Sequence, residues 1–155
     1  MKAMSDAAVE GDRAAGLKAA KDVFYKGSIA KKIVDSSASV GGIITMEDLA
    51  NYTSIFGEPV SSTFQGYEIL GHDTWTQAPM VQQTLNILEH FDLKAMGHNS
   101  PEYVHTVSEA LKLVFGDREA YYADPTYAEI PIDGLLSKEY AAERVELIDP
   151  ERALP

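Results

Sequence analysis

Apolar residues recur at three- and four-residue steps along most of this chain and alternate with polar ones over one short stretch only. Leu17, Ala20, Val23 and Phe24 share a face of a helix predicted over residues 14–26. Gly27 comes next, where a left-handed residue is expected to end that helix. Ser28 is expected to cap a short second helix carrying Ile29, Ile33 and Val34, with residues 36–39 as a loop and Gly41-Gly42 as a turn. Thr45-Met46-Glu47-Asp48 has the form of a capping box and opens a helix ending near Tyr52.

The period then changes. Val60, Thr63, Phe64, Tyr67, Ile69 and Leu70 are strand formers around Gln65-Gly66, which predicts a hairpin with strands at 59–64 and 67–71. Helical spacing returns at Pro79 with Met80, Leu85, Ile87 and Leu88, in a helix expected to reach about His90. Ser100 caps the strongest helix, 101–122, whose apolar positions are Tyr103, Val107, Ala110, Leu111, Val114, Phe115, Tyr121 and Tyr122. Asp124-Pro125 stops that helix, and Pro131 interrupts the segment after it. Ser137 caps a last helix through Tyr140, Ala141, Arg144 and Leu147.

The expected fold is α+β and mainly α-helical, with five to six helices and one short β-hairpin near 59–71, as a single region over 1–155. A lone hairpin among helices is marginal by itself, so pairing with strands outside these residues is expected.

Composition narrows the function classes. Thirteen Lys and Arg against 24 Asp and Glu leave a net charge of −11 with no basic stripe, which argues against nucleic-acid binding. The absence of cysteine removes disulfide scaffolds, thiolate metal sites and cysteine nucleophiles. The opening residues carry Asp6, Glu10 and Asp12 without an apolar run, so no signal peptide is read there and no compartment is assigned. No stretch is long and apolar enough to predict a membrane span. No cofactor is expected.

Five patterns are candidates for chemistry. Glu102, His105 and Glu109 fall on one helical face, but helical di-metal sites need a second Glu-x-x-His copy, so a solvated face with a His–Glu contact is the favoured reading. His72-Asp73 before Thr74-Trp75-Thr76 supplies the side chains of a triad. Adjacent residues on an extended segment point to opposite faces, however, which favours a polar loop with Trp75 anchored against a neighbouring surface. Asp117-Arg118 could orient a carboxylate through the guanidinium, and an ion pair within or between helices is the simpler reading. Tyr121-Tyr122 reads as packing, Asn51-Tyr52-Thr53 fits a glycosylation pattern, and no glycine run forms a phosphate loop. No complete active site is visible, and no metal site is assigned.

Seven segments in order carry a resemblance. They are Phe24-Tyr25-Lys26-Gly27-Ser28-Ile29-Ala30; Gly41-Gly42-Ile43-Ile44-Thr45-Met46-Glu47-Asp48-Leu49-Ala50-Asn51-Tyr52; Glu58-Pro59-Val60 leading into Phe64-Gln65-Gly66-Tyr67-Glu68-Ile69; Leu85-Asn86-Ile87-Leu88-Glu89; Ser108-Glu109-Ala110-Leu111-Lys112-Leu113 with Asp117-Arg118; Asp124-Pro125; and Leu135-Leu136-Ser137-Lys138-Glu139-Tyr140-Ala141. Together they resemble the γ-glutamyltranspeptidase family, in the C-terminal half of its large subunit.

That resemblance implies an N-terminal-nucleophile hydrolase with an αββα sandwich. Its precursor cleaves itself, and the new N-terminal Thr of the small subunit attacks a γ-glutamyl amide such as glutathione, its own amine serving as base. None of the eight threonines here (Thr45, Thr53, Thr63, Thr74, Thr76, Thr84, Thr106, Thr126) stands in the family's Thr-Thr-His context, so no catalytic residue is carried over and the substrate-binding residues are unassigned. Residues 71–79 also depart from the family's Pro-rich Ser-Ser-Gly-Gly stretch. The expectation is a fragment, inactive alone, whose partners are the rest of the large subunit and the small subunit, with self-association through the uncovered surface. The alternatives are a non-catalytic interaction module, a piece of a related amidohydrolase acting on another amide, and a stand-alone enzyme built on His72, Asp73 and His105.

Overall fold

Capping residues and glycines set most element boundaries in the computed structural model, which describes residues 1–8 and 12–155. Glu10, one of the acids read against a signal peptide, lies outside the described residues. The chain divides into two compact units, residues 1–56 and 57–155.

The first unit is helical: α1 (Lys2–Asp6), α2 (Arg13–Tyr25), α3 (Ser28–Ser39) and α4 (Met46–Asn51). The side chain of Asp12 caps α2 by accepting from the Ala14 and Ala15 amides. The capping box of α4 is complete, Thr45 accepting from the Asp48 amide and Asp48 from the Thr45 amide. Four expectations shift. Gly27 is not left-handed: with φ −103° it stands at the start of α3, and a Cβ there would sit 2.9 Å from the Val23 carbonyl oxygen. Ser28 is therefore the first helical residue and not the cap. The helix also continues through residues 36–39, expected as a loop, because its end is closed two residues later. Gly41, at φ +82°, donates to the Ala38 carbonyl and Gly42 to the Ser37 carbonyl, which is a Schellman closure. Leu17, expected to face a core, is exposed within this unit.

The second unit opens with β1 (Val60–Phe64) and β2 (Tyr67–Gly71), an antiparallel pair in the register Val60–Gly71, Ser62–Ile69 and Phe64–Tyr67. Gln65 and Gly66 both take positive φ, 48° and 83°, as a two-residue turn of this hand requires. Then come α5 (Ala78–Leu88), α6 (Leu93–Met96), α7 (Pro101–Tyr121), α8 (Ile132–Leu135) and α9 (Lys138–Val145). The Ser100 and Ser137 caps form as expected. Among the described residues there are nine helices where five or six were expected. The extra three, α1, α6 and α8, are pieces of four or five residues too short to show a period.

The core of this unit is α5 packed on α7 and α9 through Met80, Ile87, Leu88, Ala110, Leu113, Val114 and Ala141. Ala110 is fully buried and small, so the backbones of α5 and α7 pack closely there. The hairpin joins this core through polar side chains. Gln82 donates from Nε2 to the carbonyls of Val60 (3.0 Å) and Ile69 (2.8 Å). Lys138 donates to the Thr63 carbonyl, Asn86 Oδ1 and Glu89 Oε2, all within 2.7 Å, and Glu89 also accepts the Gln65 amide. The Lys138 ammonium, then the Gln65 amide, holds the Glu89 carboxyl below the usual carboxylate range.

Candidate functional site

The face that α7 turns inward differs from the expected one. Leu111, Phe115 and Tyr121 are substantially exposed, whereas Thr106, Glu109, Ala110, Leu113, Val114 and Asp117 are buried. Those positions also recur at three- and four-residue steps, so the stripe is rotated and carries two acids into the interior. Each acid organises a cluster.

Asp117, 4% exposed, is the hub of the first. Its Oδ1 accepts from Tyr140 Oη and from an Arg144 guanidinium nitrogen, both at 2.9 Å, and its Oδ2 accepts from Gln83 Nε2 at 3.0 Å. Tyr122 donates in turn to Gln83 Oε1. This is the interhelical ion pair expected for Asp117, drawn from α9. Burial, and then the hydrogen bond to Asp117, pushes the Tyr140 hydroxyl up to about 12, and burial with the Asp117 charge pushes Tyr122 up as well. A tyrosine whose folded pKa is raised adds stability that is complete below its ordinary value of 10.0 and is lost as pH rises through the folded one. Unfolding of the second unit in alkali is thus expected to track tyrosinate absorbance between about pH 10 and 12. Titration of all tyrosines as exposed groups with no loss of structure would contradict the network.

An open cleft of about 520 Å³ lies between the loop after β2 and the end of α7, with Thr74, Trp75, Gln77, Arg118, Glu119 and Tyr122 on its walls. The loop is folded on itself: Asp73 Oδ1 accepts the Thr74 amide, Thr76 Oγ1 donates to the Asp73 carbonyl, and the same oxygen accepts the Ala78 amide at the start of α5. Thr74 is buried and its hydroxyl finds no protein partner. Trp75 is 63% exposed, with its indole 5.9 Å from the His72 ring, so it is not anchored as expected within this chain. The triad-like residues make no nucleophile–base–orienter relay, since Asp73 serves the loop's own amide. Arg118 stacks over the Phe115 ring at 4.8 Å and pairs with Glu119.

Glu109 centres the second cluster and is 1% exposed. Lys112 and the Leu154 amide donate to it and, in that order, hold its carboxyl below the usual carboxylate range against the opposing effect of burial. The expected solvated face with a His–Glu contact is corrected accordingly, because the chain at 149–154 covers it and His105 meets the Asp149 carbonyl. Glu102 remains exposed, and no group of three potential metal ligands occurs among the described residues. Asn51 ends α4 and is exposed.

Sequence reasoning missed Gln83, Tyr140, Arg144 and Lys138 as organising residues. The available signal was the pair of acids on the stripe of Ala110, Leu113 and Val114, a position that demands partners from other elements.

Residues 14–155 match the family described as gamma-glutamyltranspeptidase. The chain is 40% identical to the Acylase ACY 1 proenzyme of Pseudomonas sp. (strain SE83) over 94% of its own length and 27% of that protein. It is 36% identical to the glutathione hydrolase proenzyme of Escherichia coli over 86% of its length and 23% of that protein. It thus spans about a quarter of these curated relatives. Among solved structures, Helicobacter pylori gamma-glutamyltranspeptidase superposes with a TM-score of 0.82 at 31% identity, covering 90% of this chain and 40% of that one. Cephalosporin acylase from Bacillus halodurans gives 0.75 at 31% identity, covering 88% and 25%.

Proposed function

The chain belongs to the gamma-glutamyltranspeptidase family, and from that premise we propose that it is part of the large subunit of a self-cleaving amidase or transferase that moves γ-glutamyl groups from amides such as glutathione to water or an amine. The observation that carries this reading is the pairing of family membership with a span of 23–27% of relatives named as proenzymes. Residues 1–155 then serve as one structural piece, and the nucleophilic Thr lies downstream of them in the precursor. The remainder of the large subunit and the small subunit are its partners. Exposed Ile43, Ile55 and Phe56 on the first unit, and separately Trp75 and Tyr127 on the second, support the reading that each unit is covered by such partners or by a second copy of the chain.

The test is hydrolysis of a chromogenic γ-glutamyl anilide by this chain and by the precursor that contains it. Turnover by the precursor only, with loss on Ala replacement of its new N-terminal Thr, is the expected result. Turnover by the 155-residue chain alone would overturn it. A second reading is favoured by the 40% identity to an acylase and by the divergent 71–79 loop: the amide is an acyl amide without the γ-glutamyl group. A precursor that cleaves itself, ignores the γ-glutamyl anilide and hydrolyses other acyl anilides would select it.

A further inference from the structure

Residues 149–154 return along α7 and are held there through their main chain. Glu109 Oε2 accepts the Leu154 amide at 2.7 Å, while Lys112 Nζ donates to the Leu154 carbonyl and to Glu109 Oε1, each at 2.9 Å. The two side chains thus engage both the N–H and the C=O of one residue, as a neighbouring strand would. One turn earlier on α7, His105 Nε2 lies 2.8 Å from the Asp149 carbonyl, so that nitrogen carries the proton and donates. Between these anchors the segment turns on itself, with the Glu151 amide donating to Asp149 Oδ1 and a bridge joining Asp149 to Arg152. A charged carboxylate at 1% exposure is costly unless fully partnered. Ala110, Leu113 and Val114 already supply the apolar contact on this stripe, so packing does not explain an acid at 109.

We infer that Glu109, Lys112 and His105 form a main-chain clamp that sets the course of residues 149–155, and that in the precursor they are positioning residues for its self-cleavage. The second half of this inference rests on the proposed function. In that cleavage the Thr hydroxyl oxygen attacks the carbonyl carbon of the preceding residue and the amide nitrogen leaves with a proton. Water then hydrolyses the resulting ester to an upstream carboxylate and a free N-terminal Thr. The clamp's assigned part is to hold the main chain at Asp149 and Leu154, not to exchange bonds or protons in these steps. It acts by fixing the tether at Leu154 instead of at the end of α9, which removes residues 149–154 from the free length and concentrates the downstream chain near one place.

Lys112 is half exposed, so Lys112→Met opens no cavity; it deletes two of the anchoring bonds and leaves the buried Glu109 with the Leu154 amide alone, so a melting curve accompanies it, and Lys112→Arg restores both bonds. Glu109→Gln offers a single carbonyl acceptor to the two donors, Lys112 and the Leu154 amide, and so breaks one of these bonds from the buried side. In the intact precursor, Lys112→Met is expected to speed hydrogen exchange at the Leu154 amide and to slow self-cleavage about tenfold. Lys112→Arg is expected to recover most of both. Faster exchange with cleavage at the wild-type rate would overturn the positioning role, and unchanged exchange in Lys112→Met would overturn the clamp itself. A wild-type precursor that never cleaves would instead overturn the proposed function, with the exchange measurement still deciding the clamp.

Discussion

Replacing Asp117 by Ala is expected to lower the stability of the second unit by about 3 kcal/mol or more, because it strands Arg144 in a largely buried position and leaves Tyr140 and Gln83 without their shared acceptor. For a unit of this size that corresponds to a fall in Tm of about 12 °C or more, read by near-ultraviolet circular dichroism. The penalty is mainly one of an uncompensated charge. Adding Arg144→Met to Asp117→Ala is therefore expected to return part of the loss, while Asp117→Asn, which still accepts from Gln83, costs less than Ala. If Asp117→Ala melts within a degree or two of the wild type, the network is not what holds α9 against α5 and α7.

Ile87→Ala is the second large effect. Ile87 is 2% exposed at the junction of α5 with α7 and α9, and truncation of such a side chain removes its transfer energy and leaves a cavity in a closely packed region. A loss of about 3 kcal/mol is expected by denaturant titration with the m-value unchanged. Val81→Ala, on the exposed side of the same helix, is expected to stay within about 0.5 kcal/mol and serves as its control. Equal effects at the two positions would mean that α5 does not turn Ile87 inward and Val81 outward.

Element type and order were legible wherever a local rule operated. The hairpin was readable because Gln65-Gly66 separates two runs of strand formers. The caps at Thr45, Ser100 and Ser137 were readable because a short polar side chain precedes an apolar period. What escaped was decided at a distance. The helix α3 runs through Ser36–Ser39 because Gly41 and Gly42 close it afterwards, not because serines favour a helix. The rotation of α7 was missed because apolar counting puts Phe115 and Tyr121 inside. It gives no weight to Glu109 and Asp117, whose partners outside α7 lie 23 to 45 residues away in the chain.

The candidate site was legible in the same divided way. Family membership was readable from ordered short segments, and the ion pairing of Asp117 from charge alone. The looped course of His72–Thr76 was half readable: alternation along an extended segment argues against a triad, whereas Trp75, 63% exposed beside the His72 ring, meets no anchoring surface within the second unit. Arg144, Lys138 and Gln83 are ordinary surface-type residues by composition. Nothing local marks them, and only tertiary placement makes them hubs.

The lysine that gathers Thr63, Asn86 and Glu89 has a consequence for how the two-stranded sheet can grow. In this register the outward-facing main-chain groups of β1 belong to Ser61 and Thr63, and those of β2 to Glu68 and Leu70. On β1 the Thr63 carbonyl is already occupied by an ammonium, which acts as a gatekeeper, since an incoming strand must displace a charge. Among the described residues no charged side chain bonds to the outward main-chain groups of β2. A strand added to this sheet is accordingly expected beside β2 and not beside β1, so that the lysine that seats the hairpin also makes its sheet one-sided.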